Sequence, residues 1–211
     1  MARLTREDLD RFHDYDIHVP SRTIYLGSVS ETDGQEDGVN YAMAERAIKN
    51  LHMLDQTTDQ EITIILNSTG GDFTYGQAIY DAILSCKNTV TIKVNGWAAS
   101  AGSFILQAGD DRLMHENSWI LLHYGTDTVS GHHKDVQNWA EWSKKTAAWM
   151  ENVYFSKILE ANPKFTKAKL KELLTFDRLL NPTEALEIGL IDGIITRDGI
   201  IRRGETEDGD E

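Results

Sequence analysis

Two runs of aliphatic and β-branched residues most constrain the fold of this chain. Residues 62–66 read Ile-Thr-Ile-Ile-Leu, and residues 90–94 read Val-Thr-Ile-Lys-Val. Each run has the length of a strand buried on both faces, ends in a glycine-containing turn and leads into a helical pattern. Strands that alternate with helices predict an α/β fold, built as a layered ββα arrangement around a parallel sheet. Such sheets place their ligands at the carboxyl ends of the strands.

The remaining segments extend this pattern into one domain over residues 21–200, with an N-terminal arm over 1–20 and an acidic, disordered tail over 201–211. A polar loop is predicted from 28 to 38, and Thr5 is a candidate N-cap for a short helix in the arm. The other predicted elements are strands at 23–26, 112–115, 119–123 and 191–195, helices at 41–54, 98–108, 168–174 and 182–189, and a turn at 176–178.

A long segment without helix breakers predicts one extended helix. Residues 132–161 contain no Gly or Pro, and they carry Trp139, Trp142 and Trp149. A helix of this length measures about 45 Å, more than a domain of this size covers. We therefore expect part of the helix to project and to pack against another subunit, with an ordinary core helix as the alternative.

Composition excludes several classes of protein. The 211 residues carry a formal net charge of -13, which would repel a nucleic-acid backbone. The single cysteine, Cys86, excludes an internal disulfide framework and fits a reducing compartment. No apolar run reaches the roughly 18 residues of a membrane span, and the N-terminus lacks a signal-peptide pattern. We expect a cytoplasmic protein that binds neither nucleic acid nor membrane. Its histidines lack zinc-binding spacing, so we predict no metal and no cofactor.

Two turns at strand ends carry residues suited to catalysis. Ser100 follows the strand at 90–94 and opens a helix among small residues, where backbone N–H groups stabilise a developing oxyanion. Gly70 and Gly71 follow the strand at 62–66 and allow a backbone N–H to face a site unobstructed. The local sequence also allows non-catalytic roles: Ser100 could simply pack within a helix, and Gly70-Gly71 could be an ordinary turn.

Two further residues complete a possible set of catalytic groups. His123 ends the apolar strand at 119–122, where a general base would be held rigidly. Asp177 lies in a predicted turn and suits an acid that orients an imidazole. Taken singly, His123 also suits a core histidine whose nitrogens are hydrogen-bonded within the fold, and Asp177 suits an aspartate that caps a helix or faces solvent. Their order along the chain, Gly-Gly, Ser, His, Asp, with each at the end of an element, favours a catalytic site.

Four motifs occur in a characteristic order along the chain. They are Asn-Ser-Thr-Gly-Gly at 67–71, Gly-Trp-Ala-Ala-Ser-Ala-Gly at 96–102, Asn-Ser-Trp-Ile-Leu-Leu-His at 117–123, and Asp-Arg-Leu-Leu at 177–180 followed by Glu184-Ala185 and Gly-Leu-Ile-Asp at 189–192. Together they resemble the proteolytic subunit of the Clp protease, the ClpP family of serine peptidases. The resemblance runs from about Tyr15 to Thr196. Thr69 stands where the family has proline and Trp97 where glutamine is common, which indicates a divergent member.

This resemblance implies a function and an assembly. Ser100 would be the nucleophile, His123 the base and Asp177 its orienting acid, with the N–H groups of Gly71 and Ala101 as the oxyanion hole. The long helix would be the handle that joins two heptameric rings into a tetradecamer. The substrates would be unfolded polypeptides, fed in by an AAA+ unfoldase, and the chain would need no cofactor.

Two other functions remain open from the sequence. Residues 94–102 also resemble the enoyl-CoA hydratase (crotonase-like) family, which uses the same fold and an oxyanion hole for acyl-CoA chemistry. That family lacks a Ser-His-Asp set, and no CoA-binding segment is evident here. The other possibility is a catalytically inert ring subunit. A Ser-Lys peptidase with a similar Gly-Gly turn would have no need of His123.

Overall fold

The two runs that dominate the sequence form neighbouring parallel strands in the sheet. The computed structural model describes residues 5–27 and 38–204. Strand β3 (Ile62–Ser68) pairs with β4 (Val90–Ala99) in a register that sets Ile62 against Val90. The isoleucines and leucine of β3 that face the helices are fully buried, so the sheet forms one wall of the core.

The other elements within the described ranges are six short or medium helices, one long helix and seven further strands. The helices are α1 (Arg6–Tyr15), α2 (Tyr41–Thr57), α3 (Phe73–Leu84), α4 (Ala101–Leu106), α5 (His133–Ala161), α6 (Lys167–Thr175) and α7 (Pro182–Ile188). The strands are β1 (Ile17–His18), β2 (Thr23–Gly27), β5 (Asp111–His115), β6 (Trp119–Leu122), β7 (Arg178–Leu180), β8 (Gly193–Ile195) and β9 (Ile200–Arg202).

A fork in strand β4 determines where the site lies. The main path of the sheet is β1-β2-β3-β4-β5-β8-β9, antiparallel only at its two ends. The first half of β4 pairs with β5, whereas its last residues, 97–99, pair with β6, and β7 adds antiparallel to β6. The chain changes direction at Gly96 (φ 95°), whose N–H donates to Ser118 Oγ at 2.9 Å. The fork therefore brings the ends of β4 and β6 side by side.

Most predicted elements are confirmed, including the Thr5 cap, which forms a capping box with Asp8. The predicted helix at 98–108 is shorter than expected, because Ala98 and Ala99 continue β4 and only 101–106 are helical. The predicted turn at 176–178 gives way at Arg178 to β7. Such three-residue strands exist through pairing with a neighbour, which no local pattern reveals.

The predicted segment boundaries differ at both ends of the domain. Strand β1 pairs antiparallel with β2 and its Ile17 is buried in the core, so these residues belong to the sheet and not to the predicted arm over 1–20. Strand β9 pairs antiparallel with β8, so Ile201 and Arg202 belong to the sheet and not to the predicted tail. The rest of that tail from residue 205, and residues 28–37 of the predicted polar loop, lie outside the described residues. Among the residues that are described, no helix has both the length and the apolar character needed to cross a bilayer.

The long helix is anchored to the core by one end only. The buried residues of α5 are Met150, Val153, Tyr154 and Ile158, all in its C-terminal half. Residues 133–142 are exposed throughout, with Trp139 at 51% of its surface. Residues 133–142 therefore lie outside the core, as expected for a projecting part of the helix, and packing against another subunit stays a prediction. Trp149 instead packs edge-on against Phe104 in the core.

A buried ion pair fastens β5 to the segment before β8. Arg112 is 3% exposed and binds Asp192 through both Nε and Nη2, at 2.8 and 2.6 Å. Burial alone would raise the pKa of Asp192, but the hydrogen bonds and charge of Arg112 hold it below its ordinary value. The third nitrogen of Arg112, Nη1, donates to Gln107 Oε1 at the end of α4, which ties this pair to the helix after Ser100.

Candidate active site

Ser100 occupies a sharp turn between strand β4 and helix α4. Its backbone has φ 50° and ψ -119°, a conformation that residues with a side chain rarely adopt. Two bonds between backbone groups help to hold it there: its N–H donates to Leu121 O of β6 at 3.0 Å, and its C=O accepts from Ser103 N at 2.9 Å. Strained backbone of this kind is concentrated at functional sites. The turn leaves the hydroxyl at the edge of the sheet, half-buried.

His123 follows β6 directly and faces this hydroxyl. Its Nε2 lies 2.8 Å from Ser100 Oγ. The contact follows from the fork in β4, because pairing of Ala99 with Leu121 sets the two strand ends side by side. The imidazole is only 25% exposed, so it is sheltered from bulk water on most sides.

Asp177 approaches the other nitrogen of the same ring. It precedes β7, whose first residue pairs with Leu122, and its Oδ1 lies 2.9 Å from His123 Nδ1. The Asp177 side chain is 72% exposed, so most of it stays accessible to solvent in the single chain. The structure thus brings the three predicted side chains into one hydrogen-bonded line from Ser100 through His123 to Asp177.

The Gly70-Gly71 turn lies against Ser100 so closely that side chains are excluded. A Cβ on Gly70 (φ 101°) would come within 2.5 Å of Ser100 Cβ, and one on Gly71 (φ 147°) within 2.3 Å of Val39 N. Gly71 forms an isolated parallel bridge with Val39 that uses the C=O of Gly70 and the N–H of Asp72. In a parallel bridge the N–H of the central residue points away from the partner strand. The N–H of Gly71 is therefore turned away from Val39.

Ala101 supplies the second predicted backbone donor. It is the first residue of α4, so its N–H has no acceptor within the helix. Its buried methyl group packs in the core. The turn at Gly70-Gly71 and the start of helix α4 therefore both lie next to Ser100, as the sequence predicts.

A groove of about 680 Å³ runs from this site along the long helix. It joins Ser100 and His123 to the loop over 124–127 and to the face of α5. Its lining is a mixture of polar and apolar side chains, and the apolar ones include Phe73, Trp142 and Met150.

Sequence reasoning missed one residue that shapes this groove. Tyr124 donates its hydroxyl to Glu151 Oε1 of α5 at 2.7 Å, and its N–H donates to Leu174 O of α6 at 3.0 Å. Burial and the neighbouring carboxylate raise the pKa of Tyr124 to about 12, so the phenol stays protonated. These bonds fasten the chain directly after His123. No local signal marks this role, since Glu151 lies 27 positions away.

Across residues 5–27 and 38–204, no group of three or more His, Cys, Asp or Glu side chains is arranged to hold a metal ion. Cys86 is half-buried, and burial and nearby carboxylates raise the pKa of its thiol to about 11. The thiol is therefore a weak nucleophile at neutral pH.

Comparison with known proteins identifies the family. The family model described as Clp protease matches residues 34–198. The ATP-dependent Clp protease proteolytic subunit of Deinococcus radiodurans is 31% identical over 197 residues, covering 90% of each chain. Chloroplastic subunit 3 of Arabidopsis thaliana is 32% identical over 178 residues, which are 82% of this chain and 53% of that protein. The structure of a ClpP1 mutant from Listeria monocytogenes superposes with a TM-score of 0.71 at 26% identity, covering 86% of this chain and 95% of that one.

Fold and family together define a serine-type endopeptidase subunit on a mixed α/β sheet. More particularly, the chain belongs to the Clp protease family. The predictions of fold, family and enzyme class are confirmed, and the crotonase-like and inert-subunit alternatives are not favoured. An identity of about 30% agrees with a divergent member.

Proposed function

We propose that Ser100, His123 and Asp177 form the catalytic triad of this endopeptidase. The observation that carries the proposal is the continuous hydrogen-bond line from Ser100 Oγ through the imidazole to Asp177 Oδ1, at 2.8 and 2.9 Å. A carboxylate that accepts from Nδ1–H leaves Nε2 free to accept the serine proton. This tautomer makes His123 the general base.

The reaction then runs in two balanced halves. Ser100 Oγ bonds to the scissile carbonyl carbon while its proton moves to His123 Nε2, and the carbonyl oxygen takes the electron pair of its π bond. The N–H groups of Gly71 and Ala101 hold that oxyanion. Collapse breaks the C–N bond, and the leaving amine takes the proton from His123. A water molecule then attacks the acyl-enzyme by the same route, which releases the acid and restores Ser100.

The groove supports an extended polypeptide as substrate. It is open along α5 and has a mixed apolar and polar lining, which suits a chain with varied side chains better than a single small ligand. We propose unfolded polypeptides as the substrate class, admitted by an AAA+ unfoldase, as the resemblance implies and as the ATP-dependent relatives support.

We place the protein in the cytoplasm, in keeping with its single cysteine.

The state of the serine is tested by labelling with a fluorophosphonate and measuring intact mass. We expect one adduct on the wild-type chain and none on Ser100→Ala, because only a serine activated by a base attacks phosphorus at a useful rate. The unmodified mass of wild type after complete exposure would overturn the proposed triad. An adduct on both chains would place the reactive group elsewhere.

Proteins of the Clp protease family form oligomeric rings, and we propose that this chain assembles into heptamers stacked as a tetradecamer. The support is the exposed N-terminal half of α5, which presents Val136 and Trp139 to solvent at 37% and 51%. Its contacts with the rest of the domain lie near the middle of the helix, where Trp142 packs edge-on against Phe73 and Ser143 Oγ donates to Asp127 Oδ2 at 2.6 Å. Contact with a second copy would bury Val136 and Trp139.

Changing Val136 and Trp139 together to lysine is expected to lower the assembled mass, because two ammonium groups oppose burial in an apolar interface. Sedimentation velocity measures the result. Tyr15→Lys, at an aromatic residue of α1 that is 59% exposed, is the matched control and keeps the wild-type mass. Trp149 is left intact because it packs on Phe73 and Phe104 in the core. An unchanged mass in the double variant would contradict the handle assignment.

A further inference from the structure

A buried chain of hydroxyl groups lies behind the nucleophile, on the side away from the groove. Tyr154 of α5 and Ser103 of α4 are both 0% exposed. Tyr154 Oη lies 2.6 Å from Ser103 Oγ, and Ser103 Oγ lies 2.6 Å from the carbonyl oxygen of Ser100. The long helix is thus hydrogen-bonded through one intermediate to the backbone of the serine itself.

The direction of both bonds follows from proton counting. The carbonyl oxygen of Ser100 can only accept a hydrogen bond, so the hydroxyl of Ser103 donates its one proton to it. Tyr154 must then donate to Ser103 Oγ. Burial raises the pKa of Tyr154, which keeps this phenol protonated. The Ser100 carbonyl accordingly receives two donors from Ser103, the hydroxyl at 2.6 Å and the backbone N–H at 2.9 Å.

The carbonyl of Ser100 and the N–H of Ala101 belong to one peptide unit. That unit is planar and trans, so its C=O and its N–H point in opposite directions. Donors that hold the carbonyl toward the interior therefore turn the N–H of Ala101 outward, toward the groove. The plane of this unit is set by ψ at Ser100, which is -119° and occurs together with a φ of 50°, a combination that residues with a side chain rarely adopt, so partners outside the residue must hold it.

We infer that Tyr154 and Ser103 are positioning residues that set the Ser100–Ala101 peptide plane and so pre-orient one donor of the oxyanion hole. The inference rests on the proposed function, in which Ala101 N–H binds the oxyanion. It assigns the anchored half of α5 a part in transition-state stabilisation. It also separates this role from that of the exposed half, which is proposed to mediate assembly.

The test compares Ser103→Ala, Tyr154→Phe and the double variant with wild type. Turnover is measured on acetyl-Leu-Leu-aminomethylcoumarin, and inhibition on the aldehyde acetyl-Leu-leucinal. Ser100 adds to the aldehyde carbon to form a hemiacetal whose oxygen lies in the oxyanion hole, so the aldehyde reports on the transition state. Thermal unfolding and sedimentation are measured on the same samples.

We expect kcat to fall about 10-fold in Ser103→Ala and about 3-fold in Tyr154→Phe, with KM unchanged. The Ser103→Ala loss is smaller than that for deleting an oxyanion donor, because Ser103 N–H still holds the carbonyl. The inhibition constant of the aldehyde should rise in proportion to the fall in kcat. The double variant should match Ser103→Ala in kcat, since the two hydroxyls act through one chain.

The melting temperatures of the variants distinguish a positioning role of Ser103 and Tyr154 from a purely structural one. Ser103→Ala leaves the Tyr154 hydroxyl buried without an acceptor, so its Tm should fall, whereas the double variant removes that hydroxyl and should recover Tm but not kcat. Tyr80→Phe is the matched control, because it removes a partly buried phenol that packs on Trp149, and it should leave kcat unchanged.

The possible outcomes distinguish failure of this inference from failure of the proposed catalytic triad. Wild-type turnover together with unchanged kcat and aldehyde inhibition in all three variants would overturn the inference alone. A kcat loss in Tyr80→Phe as large as that in Tyr154→Phe would also overturn it. A wild-type chain that neither cleaves the peptide nor binds the aldehyde would overturn the proposed triad and this inference with it.

Discussion

Ser100→Ala is expected to lower peptide turnover by about 10⁴- to 10⁶-fold, the range seen when a triad nucleophile is removed. The alanine has no atom to bond to the carbonyl carbon, while the oxyanion donors and the groove remain. Hydrolysis of acetyl-Leu-Leu-aminomethylcoumarin measures the effect at saturating peptide. Among residues 5–27 and 38–204, Ser100 Oγ bonds to the side chain of His123 alone, so the fold and the assembled mass should be unchanged.

Ser85→Ala is the matched control for this change. Ser85 is an exposed serine at the C-terminal end of α3, and its hydroxyl donates to Ala82 O at 2.8 Å. It should retain wild-type turnover. A turnover rate of Ser100→Ala within 10-fold of the wild-type rate would show that another group is the nucleophile and would contradict the triad assignment.

Asp177→Asn is expected to lower kcat by about 10³- to 10⁴-fold with little change in KM. An asparagine amide presents either an N–H, which makes the imidazole carry its proton on Nε2, or a weaker neutral acceptor. The first arrangement removes the base that Ser100 needs, and the second stabilises the imidazolium less well. Since the side chain of Asp177 is 72% exposed in the single chain, we place the loss below that for Ser100.

The rate of fluorophosphonate labelling should fall in parallel with kcat in this variant, because both reactions need His123 as base. Asp198→Asn, at an exposed aspartate in the turn before β9, serves as the control and should label at the wild-type rate. Equal labelling of Asp177→Asn and wild type would mean that the ring of His123 is oriented by a group other than this carboxylate.

The candidate site was predictable in its membership but not in its alignment. Ser100, His123 and Asp177 stand in recognisable motifs, yet locally each suits an ordinary packing or capping role. What joins them is the pairing of β4 with β6 and of β6 with β7, across separations of 23 and 54 residues. Periodicity and turn chemistry act over a few residues, so they cannot specify which strand ends meet.

The long helix illustrates the same division. The absence of Gly and Pro was enough to predict its span to within one residue, 133–161 against 132–161. Its amphipathic pattern did not distinguish the role of its tryptophans. Trp149 lies in an aromatic cluster with Phe73 and Phe104, whereas Trp139 is half-exposed. That distinction depends on where the body of the domain ends along the helix axis.

By itself the sequence determined the parallel α/β core, the breaker-free helix and the chemical types at each strand end, because these depend on local hydrophobic patterning and on glycine and proline. Tertiary structure alone decided the fork of β4 at Gly96, the short strands β7 and β9, and the contact of Tyr154 with Ser103 across 51 residues. Short strands and buried hydroxyl pairs are stabilised only by partners distant in the chain. Their positions therefore exist only once the whole domain has folded.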